Sequence, residues 1–416
     1  MSNGRTSGLA TVGARVPPSA STVSAPTVPV LDVDAMLGSE KIIVCCGSGG
    51  VGKTTVAAAL ALRAAERGRR TVVLTIDPAR RLAQSMGLTE LDNNPREVVG
   101  VDCSAGGHLD AMMLDMKRTF DEIVLAHATP ERAQQLLDNP FYQSLSSSFA
   151  GTQEYMAMEK LGQLDATGEW DLIVVDTPPT RSALDFLDAP NRLSAFLDGR
   201  LLRLLLAPAK AGGKMYLKVV NVGLGVFGRI LTKIIGAQLL ADVSQFVAAL
   251  ETMFGGFRQR ADQTYQLLGA PGTSFVVVAA PEAAALREAS YFVDRLDADG
   301  MPLAGLVVNR VHSVGPAARG LTVERSLAAA ETLGEHAEHP LATAVLRIHA
   351  ERVRLATREQ RLRDRFTSAH PDTPLVEVDA FAGDVHDLDG LRAVGAVLAG
   401  DDIPEHAHDA ALGQTD

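Results

Sequence analysis

Lys41-Ile42-Ile43-Val44-Cys45-Cys46, then Gly47-Ser48-Gly49-Gly50-Val51-Gly52-Lys53-Thr54-Thr55, then Val56 to Arg67 (VAAALALRAAER), is the stretch that decides the fold. The first six residues are a short apolar run of the kind that makes a buried parallel strand. The last segment is rich in alanine and leucine, strong helix formers, and Gly68 is placed to cap its end. Between them the pattern G-x-x-x-x-G-K-[ST] is complete. Its glycines allow tight backbone turns, so N–H groups can converge on phosphate oxygens at a helix N-terminus. Lys53 would reach the β- and γ-phosphates, and the Thr54 hydroxyl would ligate Mg²⁺. Every residue from Gly47 through Ser48, Gly49, Gly50, Val51, Gly52, Lys53 and Thr54 to Thr55 is therefore a candidate nucleotide contact, with ATP and Mg²⁺ the expected ligands.

Outward from this loop, strand-like and helix-like runs alternate. Arg70 to Ile76 is β-branched and ends at Asp77-Pro78; Leu109 to Leu114 is a further strand, followed by helix-like Lys117 to Ala126. Glu154 to Leu164 reads as helix, and Trp170 to Val175 is a strand delivering Asp176 at its end. Ser274 to Ala280, Leu303 to Asn309 and Leu375 to Val378 complete the strands. Such alternation means an α/β fold, a mostly parallel sheet flanked by helices, with ligands beyond the carboxyl ends of the strands. Asp77, Asp176 and Asn309 all fall at such ends and can converge above the loop. Asp176 would hold a water of the Mg²⁺ shell and respond to the γ-phosphate, and Asp77 would position the attacking water; helix capping is the alternative role for each.

The chain has 416 residues, long for one core but within reach of an α/β domain with insertions. Its net charge of −11 argues against a general nucleic-acid surface. Cys45, Cys46 and Cys103 cannot build a disulfide framework, so a reducing, cytoplasmic compartment is expected. No uncharged apolar span of about 18 residues exists, so no transmembrane helix is expected. Residues 1–38 read as a flexible tail, and 399–416 as an acidic one. Residues 39–195 and 269–398 then form the two parts of the nucleotide-binding core.

Residues 196–268 interrupt the alternation and read as an inserted helical subdomain. From Gly199 to Ala241 seven residues are basic and none is acidic. Lys210, Lys214, Lys218, Arg229 and Lys233 would share one broad helical face opposite Val219, Leu224, Phe227, Ile230 and Ile234. Three uses fit this pattern: a cover packed on the body, a groove for an apolar client segment, or a helix lying at a membrane surface, which would make the protein peripheral there.

Taken together, G-S-G-G-V-G-K-T-T (47–55), T-I-D-P-A (75–79), D-T-P-P-T (176–180), E-A-x-x-L-R-E-A-x-x-F (282–292) and V-V-N-R (307–310) resemble the arsenical pump-driving and tail-anchored-protein-targeting ATPases, a family of dimeric P-loop proteins. The resemblance covers roughly residues 39 to 398. It implies an ATP hydrolase in which Lys53, Asp77 and Asp176 carry the chemistry and Thr54 and Asp176 serve the metal. Asn309 would hydrogen-bond adenine, and the loop around Asp379 to Gly383 would close over the base. The targeting members carry a C-x-x-C pair for zinc; no cysteine follows Asn309, so no zinc is expected. Arsenite binding is not expected either, because only Cys103 lies outside the strand. Where the family's second switch continues Gly-His, this chain has Arg181-Ser182.

The family resemblance also gives Ser48 its meaning. In that subclass position 48 is a lysine that crosses the dimer interface to the partner's nucleotide, a charge of the kind worth roughly 10³–10⁵ in rate. Serine cannot supply it. The expectations are a heterodimer with a lysine-bearing paralogous subunit, a slow homodimer, or compensation within the chain by Arg181 or Arg80. Two further functions compete with the ATPase reading: a nucleotide-gated scaffold that hydrolyses little, and a partitioning-type ATPase at a surface.

Overall fold

The computed structural model describes residues 28–77, 81–140, 142–143, 152–178, 259–315, 318, 320–335 and 339–402. Most of the expected helical subdomain, together with Arg80 and Arg181, lies outside the described residues.

Helix α1 (Val33–Ser39) starts at Asp32, whose side chain accepts the Ala35 N–H at 2.9 Å. Strand β1 (Ile42–Gly47) follows, then the phosphate loop, then α2 (Lys53–Glu66). β2 (Arg70–Thr75), a short α3 (Arg81–Ser85), β3 (Arg96–Glu97), β4 (His108–Met113), α4 (Met116–His127) and α5 (Pro130–Leu137) come next. α6 (Thr152–Thr167) leads into β5 (Leu172–Asp176). Beyond residue 258 the chain runs through β6 (Thr273–Ala279), α7 (Ala283–Ala298), β7 (Leu303–Val311), α8 (Val323–Gly334), α9 (Pro340–Ala369), β8 (Leu375–Asp379) and α10 (Leu388–Ala399).

The eight strands form one sheet in the order β3-β4-β2-β5-β1-β6-β7-β8. All neighbours are parallel except β3, which runs against β4. β1, β5 and β6 are buried along their whole length, which is why they read as unbroken apolar runs rather than alternating ones. The chain runs outward from β1 on one side and returns to it before crossing to β6. The carboxyl end of β1 is thus the switch point at which a parallel sheet opens a crevice.

One feature departs from the sequence expectation, and another falls where the sequence reading stated none. The stretch assigned to the end of a flexible tail is part of the body: Val30 bridges to Leu375, and Val33, Met36 and Leu37 of α1 are buried. The other is α9, a helix of 30 residues and about 45 Å between β7 and β8. It opens on Pro340 at its first turn, packs on α8 through Thr343 and Ala350, and plants Phe366 in the core.

Candidate nucleotide-binding site

The phosphate loop leaves β1 through Gly47, where a Cβ would stand 2.1 Å from the Val278 carbonyl oxygen of the neighbouring strand. It enters α2 through Gly52 at φ 93°, where a Cβ would meet the Asn309 amide nitrogen at 2.3 Å. Three side chains then hold loop carbonyls. Lys53 Nζ donates to Ser48 O at 2.8 Å, Arg310 Nη1 to Gly50 O at 3.0 Å, and Asn309 Nδ2 to Val51 O at 2.9 Å.

At the foot of the loop lies a buried carboxylate. The Thr54 and Thr75 hydroxyls both donate to Asp176 Oδ2, at 2.8 and 2.9 Å. Thr177 extends β5 by donating its hydroxyl to Cys45 O at 2.8 Å, which fixes Asp176 at the end of its strand. Burial pushes the Asp176 carboxyl up to about 6, against the two threonine hydrogen bonds and the charge of Lys53. Burial likewise lowers Lys53, and Asp176 opposes it. Asp176 Oδ1 is shielded from solvent and has no hydrogen-bond partner. With the Thr54 hydroxyl on the other carboxylate oxygen, Oδ2, the two residues offer the oxygen-only donor set that a Mg²⁺ ion holding its own waters would take.

Above the buried carboxylate lies a cleft of about 720 Å³, lined by Lys53, Thr54, Asp77 and Asn309 on the sheet side. Asp379, Ala380, Phe381 and Gly383 line the other side, so the loop expected to close over a base does border the cleft. Asp77 lies at the rim, its backbone N–H on the Thr75 hydroxyl at 3.2 Å. Asn309 is at the cleft too; one of its two amide hydrogens goes to the Val51 carbonyl of the loop, and its oxygen accepts the Arg310 N–H at 2.9 Å. Cys45 and Cys46 are wholly buried, and burial raises both thiols, Cys46 to about 12. Sequence reasoning missed Thr75 and Arg310. A hydroxyl one strand away from Asp176 leaves no spacing signal; the V-V-N-R run contained Arg310 without showing where it points.

A phosphate loop after a central parallel strand, with a buried strand-end aspartate on the hydroxyl that follows its lysine, defines the P-loop nucleoside-triphosphate class. Within that class, residues 40–318 match the family model of the ArsA-type anion-transporting ATPases, and the chain belongs to that family. Similar proteins include ATPase GET3 of Malassezia globosa, 32% identical over 159 residues, which is 38% of this chain and 45% of that protein. ATPase ARSA1 of Chlamydomonas reinhardtii is 26% identical over 303 residues, 67% of this chain and 36% of that protein. ATPase ASNA1 homolog 1 of Paramecium tetraurelia is 26% identical over 275 residues, 65% and 75% of the two chains. The chain thus spans less than half of the length of the first two relatives.

Proposed function

We propose that the chain binds Mg²⁺-ATP in the cleft and hydrolyses it, opening and closing a dimer that handles an apolar client or partner through its helical segment. The observation that carries the nucleotide reading is the Lys53–Thr54–Asp176 arrangement, with the Thr54 hydroxyl on Asp176 Oδ2 and Asp176 Oδ1 unpartnered. Lys53 would leave Ser48 O for the β- and γ-phosphates, and Asp77 would orient the attacking water. Bound Mg²⁺, held by Thr54 and through water by Asp176, would neutralise charge on the phosphates. The position is cytoplasmic in this reading, and among the described residues no helix is long and apolar enough to cross a membrane.

Ser48 shapes the assembly. Its hydroxyl is shielded and has no hydrogen-bond partner, and a serine brings no cation to the loop. The active form is therefore a heterodimer with a lysine-bearing paralogue, whose lysine serves this chain's nucleotide. The same serine supports one other reading, a nucleotide-gated regulatory subunit with little hydrolysis of its own.

Equilibrium binding of a fluorescent ATP analogue and single-turnover hydrolysis, each with and without Mg²⁺, test this. The expected result is Mg²⁺-dependent conversion of ATP to ADP, slowed about 10²-fold or more by Lys53→Ala. Tight binding without turnover, alone or with the paralogue, selects the regulatory subunit. No ATP binding by the unmodified chain sinks both.

A further inference from the structure

Arg310 is the only non-glycine residue with positive φ among the described residues, at 63°. It sits where the β7–β8 register slips between Asn309 and Val311. In a regular strand, consecutive side chains point to opposite faces of the sheet, so Asn309 and Arg310 could not reach the same object. The slip and the left-handed turn re-aim Arg310, a known use of bulges beside functional sites. The result is a pair of adjacent residues holding adjacent loop carbonyls: Asn309 on Val51 O at 2.9 Å and Arg310 on Gly50 O at 3.0 Å. Asn309 also accepts the Arg310 backbone N–H, which fixes the turn itself.

The guanidinium stands at a boundary. Arg310 lines the nucleotide cleft on one side of the loop. On the other it lines a groove of about 370 Å³ that contains Ser48 and the carboxylates Glu282, Glu288 and Glu359. An L-residue in this conformation is disfavoured, and glycine would occupy it freely. The side chain is the reason for an arginine here.

We propose that Arg310 is a positioning residue for the phosphate loop: by holding Gly50 O outward it keeps the loop N–H groups turned toward the triphosphate. It also brings a positive charge to the edge of the cleft in a loop that lacks a lysine at position 48. This inference rests on the ATP-binding reading above, and it concerns how tightly the loop grips a triphosphate, not which subunit completes hydrolysis.

Arg310→Gly isolates the side chain, because glycine keeps the backbone turn. Arg310→Lys keeps the charge. Affinities for fluorescent ATP and for adenosine are measured on the full chain, with thermal unfolding in the absence of nucleotide and steady-state hydrolysis wherever turnover is detectable. For Arg310→Gly the expected outcome is an unfolding midpoint equal to or above the unmodified chain and ATP binding weakened roughly tenfold, with adenosine unaffected. The loss should fall in KM rather than kcat, and Arg310→Lys should recover ATP binding to within about threefold. ATP affinity within twofold of the unmodified chain in Arg310→Gly overturns the role of Arg310 alone. An equal loss for ATP and adenosine, or no recovery by lysine, overturns it as well. An unmodified chain that binds no ATP overturns the nucleotide reading and this inference together.

Discussion

At Asp176 two requirements pull against each other. The carboxyl is wholly buried, and burial raises it from 3.8 to about 6. A group whose folded value lies above its unfolded one is penalised as pH rises through that window, and the whole penalty is present above it. At neutral pH it amounts to about 3 kcal/mol, offset elsewhere in the fold. Asp176→Asn removes the charge and keeps an oxygen for Thr54 and Thr75, but it puts an amide N–H₂ where Oδ1 has no partner. Without Mg²⁺ and nucleotide, that variant should gain about 1–2 kcal/mol in urea unfolding at pH 7.5. The Mg²⁺-dependent increase in ATP affinity should disappear. A variant less stable than the unmodified chain would show that burial is not the dominant effect. Gly47 shows a simpler constraint: with the Val278 carbonyl 2.1 Å from where a Cβ would sit, no side chain fits, and the loop can begin only with glycine.

Among the elements, α1 shows best how chemistry outside the motifs ties the body together. Arg63 of α2 grips Asp34 of α1 through Nε at 2.7 Å and Asp401, just past α10, at 2.5 Å; Arg67 adds a contact to Asp34 at 2.8 Å. The Arg63 hydrogen bond is the main reason that the Asp34 carboxyl lies below its ordinary 3.8. A depressed carboxyl contributes stability above its unfolded value and loses it as pH falls through the folded one. Asp34→Asn should therefore cost about 0.5–1 kcal/mol at pH 7, and the difference should shrink as pH drops below the ordinary aspartate value and vanish below the lowered one. Urea midpoints at pH 7 and pH 3 check this; an equal difference at both would sink it. The same helix marks what the sequence could not reveal. Its seven residues follow a stretch of Ser, Thr, Pro and Val that resembles tail, and only the docking of Val33, Met36 and Leu37 makes it structure. The parallel strands were legible because burial on both faces writes them as apolar runs. Lys53, Thr54, Asp77 and Asp176 were legible because fixed spacing or strand-end position marks them. Arg310 was not, since its aim depends on a register slip that no local pattern records. α9 escaped for a related reason: nearly two thirds of its residues are exposed, so its apolar positions do not form one continuous buried stripe.

For the molecule as a whole, the proposed assembly turns on one side chain, Ser48. In a homodimer of this chain, Ser48→Lys should raise the hydrolysis rate by about tenfold or more, because it restores a cation in trans. Mixing the unmodified chain with a lysine-bearing paralogue should do the same, with a complex visible by size-exclusion chromatography. An unchanged rate in both experiments would return the question to cations within the chain, Arg80 and Arg181 among them.

The long helix α9 adds a mechanical consequence at this scale. Glu359 accepts the His312 backbone N–H at 2.8 Å, and its other oxygen lies 2.8 Å from the ring Nδ1, just past the end of β7. Arg363 reaches Glu377 of β8 at 2.8 Å. Those contacts anchor the helix beside the cleft that His312 helps to line. The far end carries Leu341, Val345 and Ile348, each more than half exposed. From Glu359 to Pro340 is about 29 Å of helix, so a tilt of about 5° at the anchor carries the tip through roughly 2.5 Å. The length of the helix makes it lever-like: a small angular change at the cleft would shift the apolar end, and α8 packed on it, by a couple of ångströms.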